Sequence, residues 1–309
     1  MKLLHDNLQP VWPAVRRRAF SLIEIMVAVA LLSFIIVGLL AMFYQVQRTF
    51  RAGTAQVDVM EGGRASMSLL VRDLQEMTAS NFELVTNCLV TASAGAAECY
   101  QDLPTGSRRT NFFQDISFIA RVNDEWTGTS YRISNVVNGV GVLYRFTTNR
   151  FRETTPQANY NSMVGLSDEV THYTQLGNPG FKKVLDGVVS LRVQPVFTNG
   201  IAFFYNDPAL ALVPNTTGTD SFGNRYTNAN LHVVLPDFFM FRSNALPAYV
   251  DIELAVLEPS TLTKFRVREE SGQVQALEYL SRQAGRTHVF RQRVAIRPAT
   301  TDLRSLTLN

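Results

Sequence analysis

The 309-residue sequence has few of the residues that build metal centres, disulfide frameworks or catalytic sites. It contains only two cysteines, Cys88 and Cys99, and four histidines scattered along the chain. Two cysteines without a nearby histidine make a poor metal site. The sequence also has no nucleophile elbow, phosphate-binding loop or zinc-protease motif. We therefore expect a protein that is not an enzyme and that holds no metal or cofactor.

Charge and proline are both absent from a long segment near the amino terminus. Residues 25–44 carry no charged side chain, and no proline lies between Pro13 and Pro104. A helix of twenty residues is about 30 Å long, which is the thickness of the hydrocarbon core of a bilayer. Three arginines at positions 16–18 precede this segment, so the positive-inside rule keeps the amino terminus in the cytoplasm. The pattern predicts one membrane span, at about residues 25–45, with the remaining chain outside the cytoplasm.

The charge balance limits the partners of the chain. The formal net charge is +3 at pH 7, and the first nineteen residues account for all of it. Because the rest of the chain is formally neutral, we do not expect nucleic acid as a partner. The last predicted strand is a local exception, since Arg291, Arg293 and Arg297 fall on one side of it. These arginines predict either a DNA-binding strip or a solvated strand face, and the neutral chain favours the second.

One acidic residue, Glu24, lies near the start of the apolar stretch. A charged side chain in a membrane-spanning helix costs roughly 2.5 to 3.5 kcal/mol on insertion scales, so it usually has a partner or a function. A cleaved secretory signal would have a shorter apolar region followed by a small-residue cleavage site, which this segment lacks. An ordinary signal anchor would match the length and the arginines, but it leaves Glu24 unexplained.

The stretch RRRAFSLIEIMVA resembles the leader and first helix of a type IV prepilin. That family has a basic leader, a small residue, then Phe-Thr-Leu-Ile-Glu and a long apolar helix. Residues 20–24, FSLIE, match this motif position by position, with Ser21 in place of the usual threonine. One departure is Ala19, where the family nearly always has glycine. The resemblance implies that a prepilin peptidase removes the leader, residues 1–19, between Ala19 and Phe20 and methylates the new amino terminus.

The resemblance also implies a role for Glu24 and a set of partners. In pilins this carboxylate pairs with the free amino terminus of a neighbouring subunit, which Phe20 would carry here. The helix macrodipole also favours a carboxylate near a helix start. The implied partners are the prepilin peptidase, other major and minor pilins or pseudopilins, and the inner-membrane assembly platform. The implied location is the inner membrane, with a periplasmic or extracellular head, and then the pilus or pseudopilus.

A long helix is predicted over residues 20–80. Gly62 and Gly63 within it are either a flexible joint or a pair tolerated by packing, and we favour the second interpretation. Charged residues at positions 64, 72, 73 and 76 fall off the apolar stripe. The stripe itself recurs at three- and four-residue spacing and consists of Met67, Leu70, Val71, Leu74 and Met77.

The sequence predicts a loop over residues 81–110, which contains both cysteines in a stretch of small residues. If this loop lies outside the cytoplasm, a Cys88–Cys99 disulfide is the natural interpretation. The alternative is two unrelated thiols.

From residue 111 to 309 we expect a β-rich head, because the hydrophobic pattern changes to period two. The segments 160–180 and 198–229 are predicted to be irregular, and Asp168 and Glu169 to be a solvated pair of carboxylates. A short helix is predicted within 272–285, with Val274, Leu277 and Leu280 on one face. The fold class is therefore α+β, a long amino-terminal helix packed on a mainly antiparallel sheet. The predicted strands are 115–122, 131–137, 141–148, 188–197, 249–258 and 289–297.

Three segments of the head are similar to the carboxyl-terminal half of J-type minor pseudopilins of type II secretion and W-type minor pilins. They are VLDGVVSLRVQPV, ALPAYVDIELAVLE and VFRQRVAIRPA, in this order along the chain. This resemblance, with the large head, implies a minor subunit at a filament tip or in priming. Two alternatives stay open, an adhesin or DNA-uptake pilin that binds a ligand through its head, and a structural or enzymatic protein with an uncleaved anchor.

Overall fold

The computed structural model of the protein describes residues 21–82, 85–93, 99–172, 180–196, 202, 218–219, 225–228, 231–235 and 238–296. The predicted leader, the predicted cleavage site at Ala19 and Phe20, and Arg297 lie outside these residues. So does most of the segment 198–229.

The described residues form four α-helices and thirteen strands. The helices are α1 Leu22–Gln75, α2 Pro156–His172, α3 Pro259–Ser271 and α4 Gln273–Ser281, and a 3₁₀ turn, Ala284–Arg286, follows α4. The strands are β1 Thr86–Ala92, β2 Cys99–Asp102, β3 Arg108–Asn111, β4 Gln114–Val122, β5 Glu125–Val137, β6 Val140–Phe151, β7 Lys182–Val196, β8 Gly218–Thr219, β9 Arg225–Asn228, β10 Leu231–Leu235, β11 Phe238–Arg242, β12 Tyr249–Leu257 and β13 Thr287–Ala295.

Eleven of the strands form one sheet, in the order β13-β12-β7-β6-β5-β4-β1-β11-β10-β9-β8. All of its pairings are antiparallel, and β2 and β3 form a separate antiparallel ribbon. The predicted α+β class, a long helix with a mainly antiparallel sheet, is therefore confirmed.

Side chains alternate between two apolar clusters on opposite faces of the sheet. In β4, Ile116 and Phe118 belong to the larger cluster, whereas Ile119 belongs to the smaller one. The larger cluster includes the buried side chains of α1, and the smaller one includes Met163 and Leu166 of α2. The sheet therefore separates α1 from α2.

The structure divides into two compact units, residues 1–53 and 54–309, and the division falls within α1. In the first unit, the described part of α1 is exposed along most of its apolar surface. In the second unit, the predicted stripe is confirmed, because all five of its residues are buried. Leu70, Leu74 and Met77 have no exposed surface, and burying each contributes about 1.5 to 3 kcal/mol.

Gly63 allows a close approach between α1 and the sheet. A Cβ atom at this position would lie 2.1 Å from Cε2 of Phe290 in β13. The helix continues through both glycines without a break. The structure therefore agrees with a packing role for the glycine pair, and it locates that role at Gly63.

Three local predictions differ from the structure. The segment 160–180 was expected to be irregular, but α2 occupies most of it. The predicted loop over 81–110 contains β1, β2 and β3. Helix α4 confirms the predicted short helix, but its buried residues are Ala276 and Leu280, and Val274 is 77% exposed. The buried face of α4 is thus rotated away from Val274.

Candidate functional site

The predicted assembly site lies at the beginning of α1. Oγ of Ser21 accepts a hydrogen bond of 3.3 Å from the backbone N–H of Glu24. The carbonyl of Ser21 accepts bonds from the amides of Glu24 and Ile25, at 3.0 and 3.2 Å. Ser21 is therefore the N-cap of α1, and Glu24 is the third residue of the helix, which is the spacing of a capping box. A Ser-x-x-Glu pattern in a sequence indicates a helix start. The prediction of a helix from residue 20 did not use this pattern.

The Glu24 side chain is exposed, and within the described residues its carboxylate has no hydrogen bond or ion pair. The side chains that follow it, from Ile25 to Tyr44, are uncharged, mostly apolar and exposed. A continuous apolar surface of this size marks a membrane or protein contact. Within the described residues, α1 is long and apolar enough to cross a membrane. The helix therefore presents an apolar surface that favours surroundings other than water, with a carboxylate near its start.

A second carboxylate, Asp73, lies near the other end of α1 and is only 4% exposed. Its Oδ2 accepts hydrogen bonds from Oη of Tyr131 in β5, at 2.8 Å, and from Nε of Arg145 in β6, at 2.7 Å. Arg72, which is exposed, approaches Oδ1 at 3.3 Å. Asp73 was expected to lie off the buried stripe, so its burial corrects that prediction. The cluster Asp73, Tyr131 and Arg145 joins the last turn of α1 to the sheet.

The electrostatics of this cluster follow from burial and from the ion pair. Burial, and then the hydrogen bond and charge of Asp73, raise the pKa of Tyr131 far above its ordinary value. Burial by itself would lower the pKa of Arg145, but the hydrogen bond and charge of Asp73 outweigh it and raise that pKa. The arginine and the tyrosine therefore keep their protons at neutral pH, and both donate to the Asp73 carboxylate.

The two cysteines are buried free thiols in the structure. Cys88 lies within β1 of the large sheet, whereas Cys99 begins β2 of the ribbon. The Cys99 sulfur accepts a hydrogen bond from the side-chain amide of Asn111 at 3.5 Å. Burial raises the pKa of both thiols. The proposed Cys88–Cys99 disulfide is thus not formed in the structure, where the two residues belong to different sheets rather than to one loop.

Arg291 and Arg293 lie on the face of β13 opposite Phe290, as predicted, but each meets a carboxylate of β12. Nε of Arg291 contacts Glu253 at 2.7 Å. Arg293 binds Asp251 with Nε at 2.6 Å and Nη2 at 2.7 Å. The register causes this pairing, because Arg291 is opposite Glu253 and Arg293 is opposite Asp251. Paired charges of this kind support a solvated face more than a DNA-binding strip.

Asp168 and Glu169, which were predicted to lie in an irregular segment, lie on α2. Glu169 contacts Nη2 of Arg150 in β6 at 2.6 Å, and Asp168 is exposed. Within the described residues, no group of three or more histidine, cysteine, aspartate or glutamate side chains could hold a metal ion.

Comparison with known proteins gives one family match. The model of the prokaryotic N-terminal methylation motif matches residues 15–40, which include Ala19, Phe20 and Glu24. No curated protein shows significant similarity to the chain. The motif and the exposed apolar helix support a type IV pilin-like protein that is anchored in a membrane and is a substrate of prepilin peptidase. The match ends within α1, so it does not test the resemblance of the head to J-type or W-type subunits.

Proposed function

We propose that this chain is a minor pilin or pseudopilin subunit. Prepilin peptidase cleaves it between Ala19 and Phe20 and methylates the new amino terminus. The subunit then enters a type IV pilus or a type II secretion pseudopilus through the first half of α1. The observation that carries the proposal is the methylation motif at residues 15–40, whose described part lies on an exposed apolar helix with Glu24 in its first turn.

Glu24 acts in this proposal as the residue that sets the position of an incoming subunit. Cleavage after Ala19 leaves a free amino group on Phe20, and Glu24 of a neighbouring subunit supplies the opposite charge. Breaking a buried ion pair by removing one partner costs about 3 to 5 kcal/mol, whereas a complete pair adds little net stability. The pair therefore favours one register between neighbouring helices more than it strengthens their contact.

The head supports a minor rather than a major subunit. The second compact unit extends from residue 54 to 309, and a subunit repeated densely along a filament has less room for a head of this size. The three segments that resemble J-type and W-type subunits form β7, β12 and β13, which are neighbours in the sheet. We therefore assign the subunit to the filament tip or to priming, by analogy with those proteins.

The mass of the amino-terminal peptide, measured on protein from native membranes, tests the processing step. We expect an N-methylated peptide that begins at Phe20. An intact leader, in cells whose prepilin peptidase processes another substrate, would contradict the proposal and leave the motif as an uncleaved anchor. Ala19→Gly is the matched variant, because it restores the family's usual residue and should be processed at least as fast.

Substitution of Glu24 tests the assembly step separately. We expect Glu24→Ala to be processed and to keep a protease-resistant head, yet to be missing from sheared filaments. Glu61→Ala is the control, since Glu61 is an exposed carboxylate further along the same helix. Equal incorporation of both variants would contradict the assembly role of Glu24.

A further inference from the structure

A cleft of about 440 Å³ lies over β7, β12 and β13, on the face of the sheet opposite Phe290 and α1. Small-molecule sites in proteins have volumes of roughly 300 to 1,000 Å³, so the cleft is large enough for a ligand. We call it the arginine cleft and define it by six of the residues that line it, Arg192, Gln194, Asp251, Glu253, Arg291 and Arg293.

The arginine cleft has more positive than negative charge. Arg109 of β3 lies beside it and contacts Oε1 of Glu253 at 3.1 Å, while Arg291 contacts Oε2 of the same carboxylate. Glu253 is therefore shared by two arginines, and Asp251 is used by Arg293. With Arg192, four guanidinium groups face two carboxylates. The chain beyond residue 19 is formally neutral, so this excess is a local concentration of charge.

Among the described residues, Arg192 supplies the guanidinium that has no carboxylate of its own. It lies opposite Glu253 in the register of β7 and β12, yet no ion pair forms between them, and the described residues offer it no other carboxylate. Its guanidinium lies over the ring of Phe112, 5.0 Å from the centroid. A cation–π contact of this kind holds an arginine in place without using its hydrogen-bond donors. Arg192 is exposed, so within the described part of the chain those donors are available to a ligand.

Arg109 is largely buried beside the cleft, and it also has too little negative charge around it. Burial lowers its pKa, Glu253 opposes that effect, and the positive charge of Arg291 lowers the pKa further. Within the described residues, Nε of Arg109 is buried and has no hydrogen-bond partner. An additional anion near Arg291 would offset the repulsion between the two arginines.

We propose that the arginine cleft binds a carboxylate ligand that contacts Arg192 and Arg291, which flank Glu253 in the register of the sheet. The planar guanidinium fork matches a carboxylate in geometry and forms charge-assisted hydrogen bonds with it. The carboxylate belongs either to a small polycarboxylic acid or to acidic side chains of another protein. Duplex DNA fits poorly, because Asp251 and Glu253 would repel a long row of phosphates, whereas a compact anion can lie against the arginines. This inference does not depend on the fate of the amino-terminal motif.

Binding to the full chain in detergent micelles at low salt tests the proposal, with titration calorimetry as the measurement. The probes are citrate, a hexaglutamate peptide and inorganic phosphate. We expect saturable binding of citrate or hexaglutamate that weakens at least tenfold in Arg192→Gln. Loss of one charge-assisted hydrogen bond corresponds to about this factor. Arg192→Gln leaves no carboxylate without its partner, so a thermal unfolding curve should show an unchanged fold.

Arg282→Gln is the matched control. Arg282 is exposed on α4 and pairs with Glu278, outside the cleft, so this variant loses the same charge elsewhere. Binding of citrate would identify a small acid as the ligand, and binding of hexaglutamate alone would identify acidic side chains of a partner protein. Both results support the proposal. It is overturned by the absence of saturable binding, by binding of phosphate alone, or by equal weakening in the Arg192→Gln and Arg282→Gln variants.

Discussion

Helix α1 carries two carboxylates whose surroundings are opposite. Asp73 is buried, and its Oδ2 accepts hydrogen bonds from Tyr131 and Arg145 of the sheet. Glu24 is exposed on an apolar surface, and the described residues offer its carboxylate no partner. The same helix therefore contains one acidic group that is paired within the head and one that has no partner among the described residues.

The difference shows how one helix can serve folding and assembly. Buried carboxylates are stable only when they are paired and hydrogen-bonded, and the head meets this condition for Asp73. In the first half of α1, Glu24 is exposed and has no such partner within the described residues. Substitutions in the second half of α1 should therefore alter the stability of the folded head. Substitutions in the first half should instead alter membrane anchoring or assembly.

The largest effect on stability should come from Asp73→Ala. The substitution leaves Arg145 and Tyr131 without their acceptor in a largely buried site, which costs about 3 kcal/mol of unfolding free energy. Urea unfolding of the full chain in micelles, followed by near-ultraviolet circular dichroism, measures this cost. Arg72→Ala is the control, because Arg72 approaches the same carboxylate but is 66% exposed, and its loss should cost less than about 1 kcal/mol. Similar losses for the two variants would refute the assignment.

A second carboxylate of the head has no arginine in direct contact within the described residues. Asp115 of β4 accepts hydrogen bonds from the Ser93 hydroxyl and, at 3.0 Å, from the amide of Ile133. Burial raises the pKa of Asp115 to about 6, against the effect of these bonds and of the charge of Arg132. An acid with a raised pKa binds its proton more tightly in the folded state, so its contribution to stability falls as pH rises from about 4 to about 6.

Asp115→Asn tests the predicted direction of this pH dependence. Relative to the variant, the wild-type chain should lose about 2 kcal/mol of unfolding free energy between about pH 4 and pH 7, since each unit of pKa shift corresponds to about 1.4 kcal/mol and the group is partly exposed. The measurement is the difference between the two urea-unfolding profiles across this range. Parallel profiles would show that Asp115 titrates normally.

The next largest effect on the free energy of unfolding should come from Gly63→Ala. Alanine at this position would meet the ring of Phe290, and overpacking of this kind costs about 1 to 3 kcal/mol. Gly62→Ala should have the opposite sign, because its nearest neighbour would be Cδ1 of Leu185 at 3.4 Å and alanine favours the helix. Phe290→Ala should relieve the cost of Gly63→Ala in a double-mutant cycle. The packing argument fails if both single alanines shift the urea midpoint in the same direction.

The strands and the stripe of α1 could be predicted because each depends on the spacing of its own residues. Alternation of apolar and polar side chains placed six strands of the sheet, and three- and four-residue spacing placed the buried stripe. Helix α2 was missed because its sequence is polar, and Met163, Leu166 and Val170 are its main apolar contacts with the sheet. The Thr155–Pro156 step before it is a start signal, since Oγ1 of Thr155 caps the amide of Ala158.

Partners that are distant along the chain could not be predicted in the same way. Asp73 meets residues of β5 and β6, and nothing in the local pattern of α1 distinguishes it from the exposed Arg72. Arg291 and Arg293 were recognised as a basic face, but their carboxylates follow from the register of β12 and β13. Register depends on the whole sheet, so the paired state of these arginines is a property of the fold.

Ser21→Ala should give the smallest effect, and it tests the first half of α1. The N-cap bond of Ser21 is long, and the amide of Glu24 also reaches the Ser21 carbonyl, so its loss should cost about 0.5 kcal/mol. Hydrogen exchange at residues 22–25 in micelles should then become about twofold faster, with the unfolding of the head unchanged. Ser33→Ala is the control, because the Ser33 hydroxyl donates to the carbonyl of Val29 within the helix and caps nothing. If exchange is unchanged in Ser21→Ala, the Ser21 hydroxyl does not stabilise the start of the helix.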